Sequence, residues 1–101
     1  MSFTLPGGWS TPRPATAKDQ AVADKVKDLF VTQSKTHPSK FKVHSVITQT
    51  VAGYKYWMEV DTGNNSYVHI YVLEPMPSAN EKPKLLSFKL NKKKGEKLGD
   101  C

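Results

Sequence analysis

The sequence predicts a single α+β domain in which one long helix is followed by four antiparallel strands. The first observation is a helical repeat, since Val22, Val26, Leu29 and Phe30 fall at positions i, i+4, i+7 and i+8. The second is an alternation of apolar and polar residues with period two from residue 41 onward. The third is that short turn-like segments separate the alternating runs, so consecutive strands should be antiparallel neighbours.

Residues 1–15 are predicted to form a flexible trunk ahead of the domain. Their composition can neither continue a helix nor hold a central strand. The responsible residues are Pro6, Gly7, Gly8, Pro12 and Pro14. The apolar residues Phe3, Leu5 and Pro6 come immediately before the two glycines, so an apolar segment is joined to a hinge at which the chain can turn sharply.

The helix is predicted over residues 17–35, within the single domain that spans residues 1–101. Thr16 is a favourable N-cap, and Asp19 three residues later can complete a capping box. The helix should end before Pro38, because the residue that precedes a proline disfavours helical dihedral angles.

The strands are predicted from their alternation. In the first strand, Phe41, Val43 and Ile47 should share a face, with Val46 as an exception. The apolar positions of the next two strands are Tyr54, Tyr56, Met58, Val60, Val68, Ile70 and Val72. The last strand should cover residues 84–90, with Leu86, Phe88 and Leu90 as its alternating apolar set.

The tip that joins the first two strands is apolar, whereas most hairpin tips are polar. Gly53 can reverse the chain because glycine reaches positive φ without steric cost. Nothing in the hairpin itself can cover Val51 and Ala52, and exposed apolar groups on a charged surface mark a contact site. In a meander the first and third connections project from the same end, so Met76 and Pro77 should lie beside this tip.

These residues resemble a known family, the cystatins, which inhibit papain-like cysteine proteases. Gln49, Val51 and Gly53 match the family's Gln-x-Val-x-Gly hairpin signature. The likeness extends along essentially the whole chain and is closest to the type 1 members, the stefins. Its other elements are Pro6-Gly7-Gly8, Pro14-Ala15-Thr16 and Val68-His69-Ile70.

The resemblance implies a sheet of four to five antiparallel strands wrapped around one long N-terminal helix. It also implies reversible, tight-binding inhibition of cathepsin L, B, H or S-type proteases, by trunk and loops that plug the active-site cleft. No catalytic residue, cofactor or metal is implied. The protease-binding residues carried over are Leu5, Pro6, Gly7, Gly8, Gln49, Thr50, Val51, Ala52, Gly53, Met76 and Pro77.

Three departures from the family pattern stand out. Met76 replaces the usual leucine of the second loop and keeps a pliable apolar contact. Ser78 stands where some relatives carry histidine, which should shift affinity between proteases. The sequence reads Leu98-Gly99-Asp100-Cys101 where relatives carry terminal aromatic residues, so we expect no packing by such a ring.

An enzyme is the weakest alternative, because His37, His44 and His69 lack metal-ligand spacing and no serine or cysteine sits in a catalytic motif. Cys101 is the one cysteine, which favours a reducing compartment, and no leader or membrane-spanning stretch is recognised. We therefore expect a cytoplasmic protein without a membrane partner. Cys101 is either an inert end, the favoured interpretation, or a link between dimers under oxidation.

The stronger alternative is a polyanion- or nucleic-acid-binding module. The net charge is +6, and the C-terminal segment is rich in lysine, namely Lys89, Lys92, Lys93, Lys94 and Lys97. In this alternative the lysines act together with the aromatic residues Trp57, Tyr67 and Tyr71. A solvated charged end is favoured, because Glu96 and Asp100 interrupt the run, so nucleic acid is not the expected partner. A monomer is expected, and the resemblance implies a minor dimer that exchanges the helix and first strand between chains.

Overall fold

A computed structural model describes residues 8–99 of the chain. Within them the helix α1 (Ala17–Ser34) precedes the long strands, and the antiparallel sheet has the order β1-β2-β3-β4-β5. Its strands are β1 (Arg13–Pro14), β2 (Lys42–Val51), β3 (Gly53–Gly63), β4 (Ser66–Pro75) and β5 (Lys84–Lys92). The predicted α+β fold with a helix across a four-to-five-stranded sheet is confirmed.

The helix begins at the predicted cap. The Thr16 backbone N–H donates to Asp19 Oδ2 at 2.8 Å, and the Asp19 N–H donates to Thr16 Oγ1 at 3.3 Å, which completes the capping box. At the other end Lys35 has a left-handed backbone (φ 58°) and its N–H donates to the Val31 carbonyl at 2.9 Å. The helix therefore satisfies backbone groups at both ends.

The prediction that Leu29 belongs to the buried face of the helix is wrong. The buried stripe consists of Val22, Ala23, Val26 and Phe30, whereas Leu29 is exposed. At about 100° per residue, Leu29 lies roughly 75° from the middle of that stripe. Ala23 fills the opposite margin of the stripe, so the helix contacts the sheet with a slightly rotated face.

A β-bulge in β2 changes the predicted alternation. The pairing of β2 with β3 shifts register between Val43 and Ser45. The extra residue brings both Val43 and Val46 to the helix side, while Ile47 packs on the opposite face of the sheet. Ile47 was therefore predicted on the wrong face, and Val46 was an exception because of the bulge.

A second irregularity changes β5. Register shifts between Tyr71 and Val72, where Ser87 and Leu85 are the β5 partners, so that Leu86 has no direct partner. Leu85 and Phe88 pack against the core, whereas Leu86 and Leu90 are exposed. The predicted apolar alternation of β5 is correct only for Phe88.

The main core lies between the helix and the inner face of the sheet. Phe30 contacts two rings there, Phe41 at 5.5 Å and Phe88 at 5.3 Å between centroids. The predicted positions on β3 and β4 are buried in it, except Tyr54 near the start of β3. The layer also contains Phe41, directly before β2, and the strand residues Val43, Val46, Tyr56, Met58, Val60, Val68, Ile70 and Val72.

The outer face of the sheet carries a second apolar cluster, made by Ile47, Trp57 and Leu98, with Trp9 and Tyr71 packed against it. The chain after β5 crosses this face, and the Gly95 N–H donates to the buried Glu59 carboxylate at 2.7 Å. Leu98 thus packs the segment that follows β5 onto the outer face of the sheet. In the described part of the chain, no helix combines the length and apolar character needed to cross a membrane.

Candidate functional site

The first hairpin reverses at Ala52, with Val51 paired directly to Gly53. Gly53 has a φ of +112°, in the region that disfavours residues with a side chain. A Cβ atom at Gly53 would overlap the Glu74 carbonyl oxygen and lie 3.1 Å from the Met76 backbone nitrogen. Glycine is therefore required here both by the backbone turn and by the neighbouring strand.

The connection between β4 and β5, the second loop of the site, lies directly beside this tip. Gly53 pairs with Pro75, and Tyr54 pairs with Glu74, so the end of β4 flanks the start of β3. Met76 follows and is 49% exposed. The Ala79 N–H donates to the Met76 carbonyl at 2.9 Å and closes a short 3-10 turn over Pro77–Ala79. Local hydrogen bonding thus orders the second loop.

A shallow groove runs between the two connections. Its apolar walls are Val51, 37% exposed, together with Pro75 and Met76. Its remaining lining residues are Lys18, Thr50, Gly53, Tyr54 and Glu74. Two apolar rims on a chain with 15 basic and 9 acidic residues form a surface suited to an apolar partner.

The N-terminal segment reaches the same end of the sheet. Trp9 forms an isolated antiparallel bridge with Gln49, and the Ser10 N–H donates to the Thr48 carbonyl at 2.8 Å. Gly8 therefore lies next to the residue that begins the first tip. Leu5, Pro6 and Gly7, the other predicted trunk contacts, lie outside the described residues.

The predicted site residues within residues 8–99 thus meet at one end of the molecule. This is the arrangement that a meander should give, with the first and third connections together. The first turn of the helix reaches this end as well, through Lys18. Their role in binding a protease stays a prediction.

Three residues of this end were missed by the sequence analysis as site residues: Lys18, Tyr54 and Glu74. The Tyr56 hydroxyl donates to Glu74 Oε1 at 2.8 Å, and Lys18 Nζ lies 3.9 Å from the same oxygen. The Lys18 ammonium also stands 5.4 Å from the Tyr54 ring centroid. The sequence did contain a sign of Glu74: it follows Val68, Ile70 and Val72 at the next alternate position, where another apolar residue would be expected.

The titratable groups at this end contact one another within the fold: the Glu74 carboxylate accepts the Tyr56 hydroxyl and lies near Lys18. Burial, followed by the Glu74 hydrogen bond, raises the pKa of Tyr56 far above its usual value, so its hydroxyl stays protonated. Burial lowers the pKa of His69, which lies on the outer face and whose Nε2 finds no hydrogen-bond partner within the described residues. In that same part of the chain, no three His, Cys, Asp or Glu residues cluster as metal ligands. The arrangement can bind by shape and apolar contact.

The lysine-rich segment has a different environment. Lys89 Nζ lies 5.1 Å from the Trp57 centroid, and Lys92 pairs with Glu96 at 2.9 Å. Trp57 is buried and stacks on Tyr71 at 4.7 Å with an interplanar angle of 7°. The Trp57 ring is thus covered by Tyr71 and Lys89 within the protein, so it is not available to stack on a nucleic-acid base.

Comparison with known proteins gives a consistent result. The family model for the cystatin domain matches residues 7–95. The chain is 40% identical to Cystatin-A8 of Sus scrofa over 94 residues, which cover 93% of this chain and 91% of that protein. It is 36% identical to Leukocyte cysteine proteinase inhibitor 1 of Sus scrofa, with the same coverage. It is 37% identical to Cystatin-B of Bos taurus over 91% of this chain and 94% of that protein.

Proposed function

Because the chain belongs to the cystatins, and within them to the type 1 group, we propose that it is a reversible, tight-binding inhibitor of papain-like cysteine proteases. Members of this family inhibit cysteine proteases and are not enzymes. The finer proposal is that the targets are proteases of the cathepsin L, B, H or S type and that binding closes their active-site cleft.

Three segments fill the cleft in this proposal. The trunk residues Leu5, Pro6, Gly7 and Gly8 occupy one side, residues 49–53 enter the middle, and Met76 with Pro77 occupies the other side. The observation that carries the proposal is the pair of exposed apolar rims, Val51 and Met76, held side by side around Gly53. An apolar-walled cleft is the complementary partner for such a row.

In this arrangement the inhibitor binds the protease without any covalent reaction between them. The first tip is closed by the Val51 and Gly53 pair, and the second by the 3-10 turn, so both connections are ordered before binding. Preorganised segments lose little conformational entropy on association. The two connections therefore act as a rigid wedge, and dissociation leaves both proteins intact.

The direct test is a titration of papain with the purified monomer, read as residual protease activity. We expect activity to fall linearly to zero at one inhibitor per active enzyme. Gly53→Glu, titrated beside it, should inhibit weakly, because a side chain at that position overlaps the Glu74 backbone. Absence of inhibition by wild-type protein at micromolar concentration would refute the proposal.

A charge on the wedge should weaken inhibition strongly. Val51→Asp places a carboxylate in an apolar cleft. The loss of binding free energy should be at least about 2 kcal/mol, which raises the inhibition constant roughly 30-fold or more. Leu90→Asp is the matched control, since Leu90 is also a strand residue with 37% exposure but stands outside the site. Its inhibition constant should stay within about twofold of wild type.

The same series ranks the wedge against the trunk. For a protease with a narrow cleft, we expect Val51→Asp to weaken inhibition more than deletion of residues 1–6. The reason is that the deletion removes favourable contacts, whereas the aspartate adds an unpaired buried charge. A larger loss from the deletion would contradict this ranking.

Binding of a polyanion through the lysine-rich segment is the alternative function. The structure gives it little support, because Trp57 is buried and Lys92 forms an ion pair with Glu96. Elution from a heparin or nucleic-acid column at a salt concentration well above that of a cation exchanger would favour it.

The oligomeric state and compartment are also proposals. We propose a monomer, with a minor dimer in which exchange of the helix and β2 would straighten residues 49–53 and remove the wedge. Gel filtration of each species before the titration separates the two activities. We propose the cytoplasm as compartment, since one cysteine suits a reducing environment.

A further inference from the structure

Glu74 occupies a position that the strand alternation assigns to the core. On β4, Val68, Ile70 and Val72 face the helix and are buried, and Glu74 is the next residue of that row. A carboxylate there is costly unless it is hydrogen-bonded. The residue therefore needs a structural reason, and its neighbours indicate one.

The side chain of Glu74 joins three elements. Its Oε1 accepts the Tyr56 hydroxyl of β3 at 2.8 Å and lies 3.9 Å from Lys18 Nζ in the first turn of the helix. Tyr56 is 3% exposed, so the hydrogen bond is anchored in the core. The Glu74 side chain is 22% exposed, so it keeps contact with water at the rim.

The backbone of the same residue fixes the first tip. The Glu74 carbonyl oxygen occupies the space into which a Cβ of Gly53 would project, and Glu74 pairs with Tyr54 across the strands. Two residues further along, Met76 forms the second rim of the groove. One residue thus sets where the tip lies relative to the second loop.

We propose that Glu74 is a positioning residue of the inhibitor, which holds the two apolar loops at a fixed separation through its hydrogen bond to Tyr56. This inference rests on the proposed function for its effect on inhibition. The carboxylate binds no protease atom in this scheme; it fixes the spacing between Val51 and Met76, and a fixed spacing lowers the entropy lost when both loops enter one cleft. Lys18 reinforces the carboxylate position from the helix.

Substitution of the two hydrogen-bonding partners tests the proposal. Glu74→Ala should raise the inhibition constant for papain about tenfold, mostly through faster dissociation. Tyr56→Phe keeps the ring and removes the hydroxyl, so it should have a similar effect. The double variant should be no worse than either single variant, because both remove the same hydrogen bond.

Rescue and control variants separate positioning from general stability. Glu74→Gln retains an oxygen that can accept the Tyr56 hydroxyl, and its inhibition constant should stay within about threefold of wild type. Glu81→Ala is the matched control: Glu81 also lies 3.9 Å from a lysine ammonium, that of Lys84, on the connection to β5. It should inhibit like wild type. All constants are expressed per active molecule from the titration endpoint, so that unfolded protein does not contribute.

Amide hydrogen exchange of the free protein gives a second readout that requires no protease. Glu74→Ala should speed exchange at residues 50–54 and at Ala79 by about tenfold relative to wild type, while Glu74→Gln should not. This arm distinguishes the two proposals, since a wild-type protein that fails to inhibit would refute the function but leave the exchange result intact. Unchanged exchange and unchanged inhibition in Glu74→Ala would overturn the positioning role. A Glu74→Gln variant as impaired as Glu74→Ala would overturn its assignment to the hydrogen bond.

Discussion

At one end of the sheet the chain reverses through Val51, Ala52 and Gly53, and at the other end through Gly63, Asn64 and Asn65. The second turn meets its own backbone needs: the Gly63 N–H donates to Asp61 Oδ1 at 2.8 Å, and the Thr62 hydroxyl donates to the Ser66 carbonyl at 3.0 Å. Its residues are polar and its asparagines tolerate their left-handed φ values of 55° and 59°.

The apolar end is constructed differently. Its exposed side chains, Val51 and Met76, contribute nothing to the turn itself, and Gly53 is constrained by the backbone of the adjacent strand. At the polar end, a Cβ on Gly63 would overlap only the Ser39 side chain. One end is therefore a self-sufficient turn, while the other consists of two connections that constrain each other and expose apolar groups.

The largest expected effect comes from exchanging the two glycines for alanine. Gly53→Ala should raise the inhibition constant about 100-fold, equivalent to about 2.7 kcal/mol, because the methyl group meets backbone that cannot turn away. Gly63→Ala strains a similar φ of +95° but meets a side chain that can rotate. It should lower the unfolding temperature and leave the inhibition constant within about twofold.

Inhibition constants and thermal unfolding of both alanine variants test this contrast. Equal loss of inhibition in the two would show that turn strain anywhere in the sheet is sufficient. That result would contradict the claim that inhibition depends on the close contact between Gly53 and the backbone of β4.

The inner face of the sheet was the part of the fold best predicted from sequence. Met58, Val60, Ile70 and Val72 alternate without interruption, and the helix covers them. A sequence period carries no mark of a bulge, so the face of Ile47 and the exposure of Leu86 were missed. The cluster around Trp57 and Leu98 was missed because it depends on the path of the chain after β5.

The site was predictable where it follows from local patterns. The Gln49 to Gly53 signature and the order of the connections placed both loops at one end. Lys18 was not predictable, because its approach to Glu74 and Tyr54 depends on how the helix crosses the sheet. The contacts of Glu74 were not predictable either, because the alternation along β4 indicated only that its side chain would face the helix.

A smaller effect is expected from the buried carboxylate where β1 passes into the helix. Asp19 is 1% exposed and accepts two hydrogen bonds from Arg13, at 2.7 and 3.2 Å. Asp19→Asn should lower the free energy of unfolding by about 2 kcal/mol, less than for a fully buried pair because water reaches the Arg13 side chain. The measurement is urea unfolding at pH 7.

The pH dependence of Asp19→Asn sharpens the test. Burial alone would raise the pKa of Asp19, but hydrogen bonds from Arg13 and Thr16 outweigh it and hold that pKa below its usual value. A lowered pKa stabilises the fold above the unfolded value of about 4, and the stabilisation is lost as pH falls through the folded value. The gap between wild type and variant should be constant above pH 5 and narrow below pH 4; a constant gap down to pH 2 would contradict the assignment.

The smallest effect is expected at the polar end. The Gly63 N–H, and after it Lys40, hold the pKa of Asp61 below its usual value, so its contribution is also lost as pH falls below about 4. Asp61→Asn keeps an oxygen for the Gly63 N–H, and its loss of stability should be smaller than that of Asp19→Asn. Inhibition should not change. Weaker inhibition by Asp61→Asn in the papain titration would mean that the two ends are coupled through the sheet.

The order of the strands has a kinetic consequence. Because β2, β3, β4 and β5 pair in the order in which they occur in the chain, each pairing closes a short loop, and short loops close quickly. The exception is β1, which pairs with β2 across the entire helix. Loop closure therefore favours pairing within the hairpins over pairing of β1 with β2, whose loop must include the whole helix.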